Sequence, residues 1–367
     1  MNKTLALHSG VFFAIALAAP RAGVAAEPAA APVQFRRDDD KGLLRVMVEG
    51  KEAIVYQYNS RLDLPHYWPI RSPSGKSMTV QYPRKYPHHR SFWFGDTVKP
   101  AGSKRSVSTY NAFYSKKGRK PAPKEFPDRV RHVKFAQSVP SAGIGRRGGG
   151  EITTHLVWEM DFKTPILDET RNMRVVSLGG GQYLLDITVT VTATYGDVQF
   201  ISDWVHYAWP YLRMNETFNV EKGRGTITSS EGGVNQKGTN GRTAKWVDYS
   251  AAPGGKAEGL AIFSHPSNAR PHKWLTRDYG CFGPRRIDTR SGKKFTLKKG
   301  RSLRRRVGIL VHGGDVKTGK VARRYRRYAK GGKCSRDDGA RPYTTAGPLK
   351  SVSRPVMLRL PPGTRRH

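Results

Sequence analysis

Residues 183–195 read YLLDITVTVTATY. Threonine occupies every second position from 188 to 194, and apolar side chains occupy the positions between them. A period of two residues puts the threonines on one face of a β-strand and the apolar side chains on the other. The stretch therefore predicts a strand of a sheet whose second face packs on a core.

Short runs of β-branched and apolar residues, separated by turn formers, lie on both sides of this strand in the chain. They predict further strands at residues 43–48, 53–56, 130–139, 152–158, 171–176, 198–205, 211–214, 226–229, 245–249, 260–263, 273–276, 294–297 and 303–312.

The helical period is clear in one stretch, residues 317–330, where Val321, Tyr325 and Tyr328 recur on one face and arginines cover the other. Many strands followed by one helix are typical of a single all-β domain rather than an alternating α/β enzyme. We predict a large antiparallel β-sandwich with one C-terminal helix.

The two ends of the chain differ in composition from the middle. Residues 1–26 combine an early lysine, an apolar run and small residues before Glu27, as a secretory signal peptide does. We predict a linker at 27–42, the sandwich domain at 43–330 and a basic disordered tail at 331–367. After the leader no apolar segment is long enough to span a membrane, so we expect an exported protein, periplasmic or extracellular.

The formal net charge is +37 in 367 residues. Such an excess predicts affinity for polyanions, which for an exported protein include acidic glycans, although a general effect on solubility explains the charge equally well. The two cysteines, Cys281 and Cys334, allow one disulfide, and a buried free thiol at Cys281 is the alternative.

Polar residues gather where predicted strands end, mainly in residues 259–284. There a buried-strand pattern stops before Pro266, and His265, Asn268, Trp274, Arg277 and Asp278 follow within a few residues. Loops held by rigid sheets often carry function, but a solvated hairpin with a surface Arg277–Asp278 pair has the same pattern.

Three other stretches combine groups suited to chemistry or stacking. His88, His89 and Arg90 lie in a proline-bounded turn, where the two imidazoles can share a site that a regular strand would deny them. Residues 203–213 are rich in aromatic side chains and end in Arg213, which is consistent with either a stacking platform or a core. The third stretch, residues 229–248, has a glycine-rich loop that contains Glu231 and Asn235, and Trp246 follows it on the returning strand.

His312 precedes two glycines at the end of an apolar strand, where close approach of a ligand is possible. The sequence contains no phosphate-binding loop, zinc-protease helix, nucleophile elbow or dinucleotide fingerprint. Two cysteines are too few for a cysteine zinc cluster, and the sequence identifies neither a metal nor a cofactor.

The order of six motifs, one of them an E-x-R at Glu169 and Arg171 and the other five given next, resembles the domain family labelled "methane oxygenase PmoA", over roughly residues 43–330. The motifs are YPHHRSFWFGD at 86–96, TNGRTAKWVDYS at 239–250, GLAIFSHPSN at 259–268, WLTRDYGCFGP at 274–284 and GILVHGGDV at 308–316. The resemblance implies an exported bacterial protein of unknown function, often associated with carbohydrate metabolism. The oxygenase label does not fit, because a membrane monooxygenase subunit needs several apolar helices.

A large exported sandwich with His, Asp and Glu at its strand ends is also similar, by analogy, to the galactose-mutarotase supersandwich. We therefore predict that the protein acts on or binds carbohydrate or an anionic glycan through acid/base chemistry. The predicted catalytic residues are His89, Glu231, His265, Asp278 and His312. The predicted substrate-binding residues are Arg90, Arg213, Asn235, Trp246, Asn268, Trp274 and Arg277.

The alternative is a glycan- or polyanion-binding module without catalysis that stacks sugars on Trp209, Trp246 and Trp274. Sequence-specific nucleic-acid binding is not expected, because the basic segments lack dense aromatic residues for base stacking. The sequence does not determine an oligomeric state.

Overall fold

The structure is a computed structural model, and it describes residues 33–109, 114–115, 118–119, 125–139, 149–201, 208–268, 272–285 and 295–331. The predicted signal peptide, nearly all of the predicted tail and Cys334 lie outside the described residues. Strands and helices are numbered below in chain order.

One large antiparallel sheet has nine strands in the order β1-β2-β3-β4-β5-β15-β21-β20-β17. These strands are β1 (Val33–Asp38), β2 (Leu43–Val48), β3 (Lys51–Gln57), β4 (His66–Ile70), β5 (Phe92–Trp93), β15 (Tyr211–Arg213), β17 (Thr243–Ala244), β20 (His272–Thr276) and β21 (Cys281–Pro284).

The second large antiparallel sheet has eight strands in the order β10-β11-β12-β13-β23-β19-β18-β16. These strands are β10 (Arg129–Val139), β11 (Gly149–Met160), β12 (Thr164–Gly179), β13 (Gln182–Thr192), β16 (Thr226–Ser229), β18 (Trp246–Ala251), β19 (Glu258–Ser264) and β23 (Ser302–Gly313).

Two small sheets and five short helical segments complete the described elements. The small sheets contain β6 (Thr97–Pro100), β7 (Val107–Ser108), β14 (Val198–Phe200) and β22 (Phe295–Leu297), and β8 (Tyr114–Ser115) with β9 (Gly118–Arg119). The α-helices are α1 (Val220–Gly223), α2 (Asn235–Thr239) and α3 (Val321–Ala329), and the 3-10 helices are Glu216–Phe218 and Pro266–Asn268.

The main core lies between the two large sheets, as the alternation in residues 183–195 predicts. On β13, Ile187, Val189 and Val191 are fully buried, while the threonines between them are partly exposed. This strand lies in the middle of the eight-stranded sheet, paired with β12 and β23. The prediction of a large antiparallel β-sandwich with a C-terminal helix is confirmed.

The core also contains a buried ion pair between Glu169 and Arg171 on β12. The Arg171 Nε donates to Glu169 at 2.8 Å, and the indole of Trp158 donates to the same carboxylate at 2.8 Å. The guanidinium lies over the rings of Phe94 and Tyr67, which enter the core from the side of the nine-stranded sheet. Burial lowers the pKa of Arg171, but the Glu169 carboxylate together with Tyr67 and Tyr56 outweighs this effect and raises the pKa above its ordinary value.

Helix α3 covers the outer face of the eight-stranded sheet. Val321, Tyr325 and Tyr328 pack in a second apolar cluster, separate from the main core, against outward-facing residues such as Phe263 and Leu310. The helix begins later than residue 317, because Asp315 accepts backbone hydrogen bonds from residues 317 and 318 in a turn and Lys320 has a left-handed conformation, with φ of 53°.

The predicted linker and the strand predicted at 198–205 both differ from the structure. Strand β1 falls inside the predicted linker 27–42, where the apolar positions Val33 and Phe35 pack on the core and β1 pairs with β2. The strand predicted at 198–205 is described only as Val198–Phe200, and residues 202–207 lie outside the described part.

Candidate functional site

The central strands of the nine-stranded sheet direct alternate side chains to the core and to the outer face. Phe92 and Phe282 both pair with Leu212, and the Phe282 ring lies 4.7 Å from Tyr249 of the opposite sheet, so this row faces the core. Alternation along each strand places the next row on the outer face of the sheet. That row contains Trp93, Tyr211, Arg213 and Cys281.

Arg213 is the last residue of β15, and its side chain is almost completely buried, with a residue exposure of 4%. Its guanidinium carbon lies 4.5 Å from the ring centre of Tyr279 and 5.6 Å from that of Tyr86. The Nε and Nη1 atoms are shielded from water, and no described residue accepts a hydrogen bond from either. Arg213 therefore presents a buried cation with unused donors.

Aromatic rings form a continuous series around this guanidinium. Tyr86 stacks on Tyr279, with ring centres 4.9 Å apart, and on His89, with ring centres 5.0 Å apart. His89 in turn lies 5.3 Å from Trp93, which stacks on Tyr211 at 5.0 Å. We call these six residues, Tyr86, His89, Trp93, Tyr211, Arg213 and Tyr279, the Arg213 site.

The turn that carries Tyr86 and His89 is held by a buried ion pair. Arg90 is fully buried and makes a two-point contact with Asp63, and its Nη1 donates to the Pro87 carbonyl at 2.9 Å. Within the turn, the His89 amide donates to the Tyr86 carbonyl at 3.0 Å. The ion pair thereby fixes the turn against the sheet and positions both rings beside Arg213.

His66 lies next to Trp93 in the register of β4 and β5, and it is fully buried. Its Nδ1 faces the Leu64 carbonyl at 3.1 Å, and its Nε2 faces the Gln81 side-chain amide at 2.6 Å. Because the carbonyl only accepts and the amide can donate, a neutral ring protonated on Nδ1 fits both contacts. Burial, assisted by the charges of Arg90 and Arg171, lowers the pKa of His66 to about 3.

Two titratable groups beside Arg213 stay protonated near neutral pH. Burial is the main cause that raises the pKa of the Tyr279 hydroxyl, and Arg213 and Arg277 oppose that shift. Cys281, which pairs with Arg213 in the sheet, is a buried free thiol, and burial raises its pKa to about 11. The phenol of Tyr279 therefore keeps its O–H group as a hydrogen-bond donor within the site.

Comparison with known families matches residues 43–326 to the family of unknown function DUF6807. The match spans most of the sandwich. The chain belongs to this family. The family description carries no activity, so the resemblance to the family labelled "methane oxygenase PmoA" stays a prediction. No curated protein matches the chain.

Among solved structures, the DUF6807 chain is similar to the GH36 alpha-galactosidase AgaA from Geobacillus stearothermophilus. The identity is 7%, the match covers 78% of this chain and 41% of the enzyme, and the TM-score is 0.38. A polysaccharide lyase matches with 11% identity, 76% and 34% coverage of the two chains and a TM-score of 0.34. The DUF6807 chain thus spans less than half the length of these proteins, and similarity at this level assigns no activity.

Of the predicted site residues, the structure brings His89 and Arg213 together, with Arg277 close by. The charge of Arg277 acts on both Tyr279 and Cys281, and its Nη1 donates to the Thr276 carbonyl at 3.0 Å. Arg90 was predicted to bind substrate, but its side chain is buried and ion-paired, and it positions the turn instead.

Asp278 and Asn235 hold the backbone around helix α2 rather than face the Arg213 site. The Asp278 carboxylate accepts from the Gln236 amide at 2.8 Å, and the Asn235 side chain accepts from the Ile227 amide at 3.0 Å. Glu231 is exposed and accepts a hydrogen bond from Ser230. Trp274 is fully buried, and its indole donates to the Ala244 carbonyl at 2.9 Å, which leaves no face for a sugar.

Three predicted residues lie toward the outer face of the eight-stranded sheet, near or beneath helix α3: His265, Asn268 and Trp246. The His265 ring lies 5.2 Å from Tyr328, and burial lowers its pKa to about 4, assisted by Arg306. Asn268 exchanges hydrogen bonds with the backbone of Arg306, and Trp246 packs in the apolar cluster under α3. These three residues are therefore remote from Arg213 in the fold.

His312 is also on that face and fully enclosed. Its Nε2 lies 2.8 Å from Asp248, which also accepts a hydrogen bond from Ser250. The ring is so closely covered that a Cβ added to Gly319 would lie 2.2 Å from its Nδ1. The geometry gives His312 a structural role between strands β18, β19 and β23.

Sequence reasoning missed Tyr86, Trp93, Tyr211 and Tyr279 as site residues. Each stands within three residues of a predicted polar candidate, but only the register of β5, β15 and β21 shows which face of the sheet this site occupies. Within the described residues, no cluster of three metal-ligating side chains occurs. In the same part of the chain, no helix is long and apolar enough to cross a membrane.

Proposed function

We propose that the protein binds an acidic carbohydrate, with the anionic group of the sugar held by Arg213. The observation that carries this proposal is the buried Arg213 guanidinium, whose Nε and Nη1 donors have no described acceptor. An isolated buried cation is strongly unfavourable, so it is normally compensated by an anion. A ligand carboxylate would supply that compensation.

The shape of the guanidinium favours a group with two oxygens in a plane. In the planar guanidinium, Nη2 forms one edge with Nε and another edge with Nη1. Either pair of nitrogens can therefore donate two parallel hydrogen bonds to one carboxylate. Each such charged hydrogen bond contributes roughly 1.5–3 kcal/mol. This geometry also explains why lysine would not replace arginine here.

The rings beside Arg213 supply the second element of carbohydrate recognition. Tyr86 and Tyr279 are both partly exposed next to the cation. Their ring faces are stacked on each other, on His89 and on the guanidinium, so a sugar would meet the ring edges and the tyrosine hydroxyls, which can donate to and accept from its hydroxyl groups. The combination favours a charged sugar over a simple inorganic anion.

Isothermal titration calorimetry with uronate-containing oligosaccharides and their neutral counterparts tests the proposal. We expect binding of the uronates only, and a loss of about 10- to 100-fold in affinity for both Arg213→Gln and Arg213→Lys, because the paired hydrogen bonds are lost. Arg301→Gln, an exposed arginine just before β23, is the control and should bind like the unmodified protein. Equal affinity for neutral sugars, or full affinity of Arg213→Gln, would contradict the proposal.

A further inference from the structure

We propose that the Arg213 site also removes the proton next to the bound carboxylate, so that the protein cleaves uronate-containing chains by β-elimination, with His89 as the base and Tyr279 as the acid. This inference rests on the proposed function, since the reaction needs a uronate carboxylate on Arg213.

The first argument is what a guanidinium does to a bound carboxylate. The carbon next to a carboxylate is a very weak acid, because its deprotonation adds negative charge to a group that is already negative. A fixed cation on both oxygens neutralises the carboxylate and stabilises the charge that develops in the transition state. Arg213 is buried, so this stabilisation is stronger than it would be in water.

The second argument is the imidazole beside the cation. His89 is 5% exposed, stacks on Tyr86 and contacts Trp93, so its ring is fixed in orientation. Tyr86 also lies against Arg213, which places the imidazole one ring away from the guanidinium. Histidine is the side chain most often used to accept a proton from carbon or oxygen in such sites.

The third argument is the phenol of Tyr279, which also contacts Tyr86. Tyr279 stacks on Tyr86 and touches the guanidinium, and burial keeps its hydroxyl protonated by raising its pKa. A neutral phenol can give its proton to the oxygen that leaves. The imidazole and the phenol both stack on Tyr86, so the base, the acid and the cation belong to one continuous series of side chains.

The reaction is balanced without a co-reactant. The C5–H bond of the uronate breaks and its proton passes to the His89 imidazole, while the electron pair forms a C4–C5 double bond. The C4–O bond breaks, and the departing glycosidic oxygen takes the proton of Tyr279. The proton on His89 then returns to the Tyr279 phenolate through solvent, which restores both groups.

The test incubates the full-length protein with oligomers of galacturonate, glucuronate and mannuronate. The new double bond is conjugated to the carboxylate, so product formation is followed by ultraviolet absorbance, and reaction in D₂O is followed by mass spectrometry. We expect an unsaturated product from at least one oligomer. His89→Gln should lower the rate by about 10²- to 10⁴-fold, as for loss of a general base.

Two controls separate chemistry from folding. His155→Gln, at a partly exposed position of β11 away from the Arg213 site, should keep the full rate. Tyr279→Phe removes one hydroxyl and keeps the ring, so it should retain the fold and lower the rate even if His89→Gln does not fold.

The outcomes also separate this inference from the proposed function. Binding of uronates with neither unsaturated product nor deuterium at C5 overturns the elimination and leaves the binding proposal intact. Full activity of both His89→Gln and Tyr279→Phe overturns the assigned roles. Absence of uronate binding overturns the proposed function itself.

Discussion

His66 carries its neutral imidazole in a fully buried position beside the Arg213 site. In the unfolded chain a histidine takes up a proton near pH 6.5, whereas the folded-state pKa of His66 is about 3. Between these two values the unfolded chain binds more protons than the folded protein. The free energy of unfolding must therefore decrease as the pH falls through this window.

We predict that the free energy of unfolding depends less steeply on pH in His66→Gln than in the unmodified protein. His66 contributes at most about 1.4 kcal/mol per pH unit between roughly pH 3 and 6.5, and His66→Gln should remove that contribution while the amide keeps part of the hydrogen bonding. Urea unfolding at several pH values measures it. His155→Gln should keep the slope of the unmodified protein, and an unchanged slope in His66→Gln would contradict the assignment.

Individual residues also show which parts of the site could be predicted from the sequence and which could not. The chemistry of His89 and Arg213 is visible in the sequence, because His89 is a titratable residue in a predicted turn and Arg213 is a charged residue near the end of a predicted strand. The burial of Arg90 and Trp274 is not visible, since the partners that enclose them, Asp63 and the Ala244 carbonyl, are far away in the chain. Residue type alone does not distinguish an ion-paired arginine from one with unused donors.

At the scale of elements, strands β19 and β23 approach each other closely around His312. Gly259 pairs with His312, and a Cβ added to Gly259 would lie 2.4 Å from two atoms of that imidazole. The neighbouring Gly313 pairs with Glu258 on the same two strands, but a Cβ added there meets nothing within 4 Å. The two glycines form a matched pair for testing the packing.

We expect Gly259→Ala to lower the free energy of unfolding by about 1–3 kcal/mol, because the methyl group displaces the His312 ring from its contact with Asp248. Gly313→Ala should change it by less than about 1 kcal/mol and even raise it slightly, since alanine restricts the unfolded chain. Chemical denaturation of both variants measures this. Equal effects of the two substitutions would show that His312 is not closely packed.

The positions of the strands were predicted better than the directions in which their side chains point. A period of two residues predicted β13 and most other long strands, because alternation depends only on local sequence. Short strands such as β5 and β15 have two or three residues, so no period exists to show which side chains point outward. Their orientation is determined by pairing with residues distant in sequence, and the Arg213 site depends on that orientation.

At the scale of the whole molecule, the net charge of +37 dominates long-range behaviour. Lys317, Lys320, Arg326 and Lys330 are exposed on or next to helix α3. Residues 331–367 add eight Lys and Arg side chains against two Asp. Contacts of this kind release counterions from a polyanion, so their strength falls steeply with salt.

We therefore expect the protein to be retained on heparin at low ionic strength and released as salt increases. Deletion of residues 335–367 should weaken retention without changing uronate binding at Arg213. Heparin chromatography over a salt gradient measures the retention of the full-length and the truncated protein. Retention that resists high salt, or loss of uronate binding on deletion, would show that this charge belongs to a specific site.

The Arg213 site and helix α3 lie on the two opposite outer faces of the sandwich. If the proposals above are right, an acidic chain bound by charge along α3 leaves the opposite face open. The two kinds of binding are then independent, and a ligand on one face does not displace a ligand on the other.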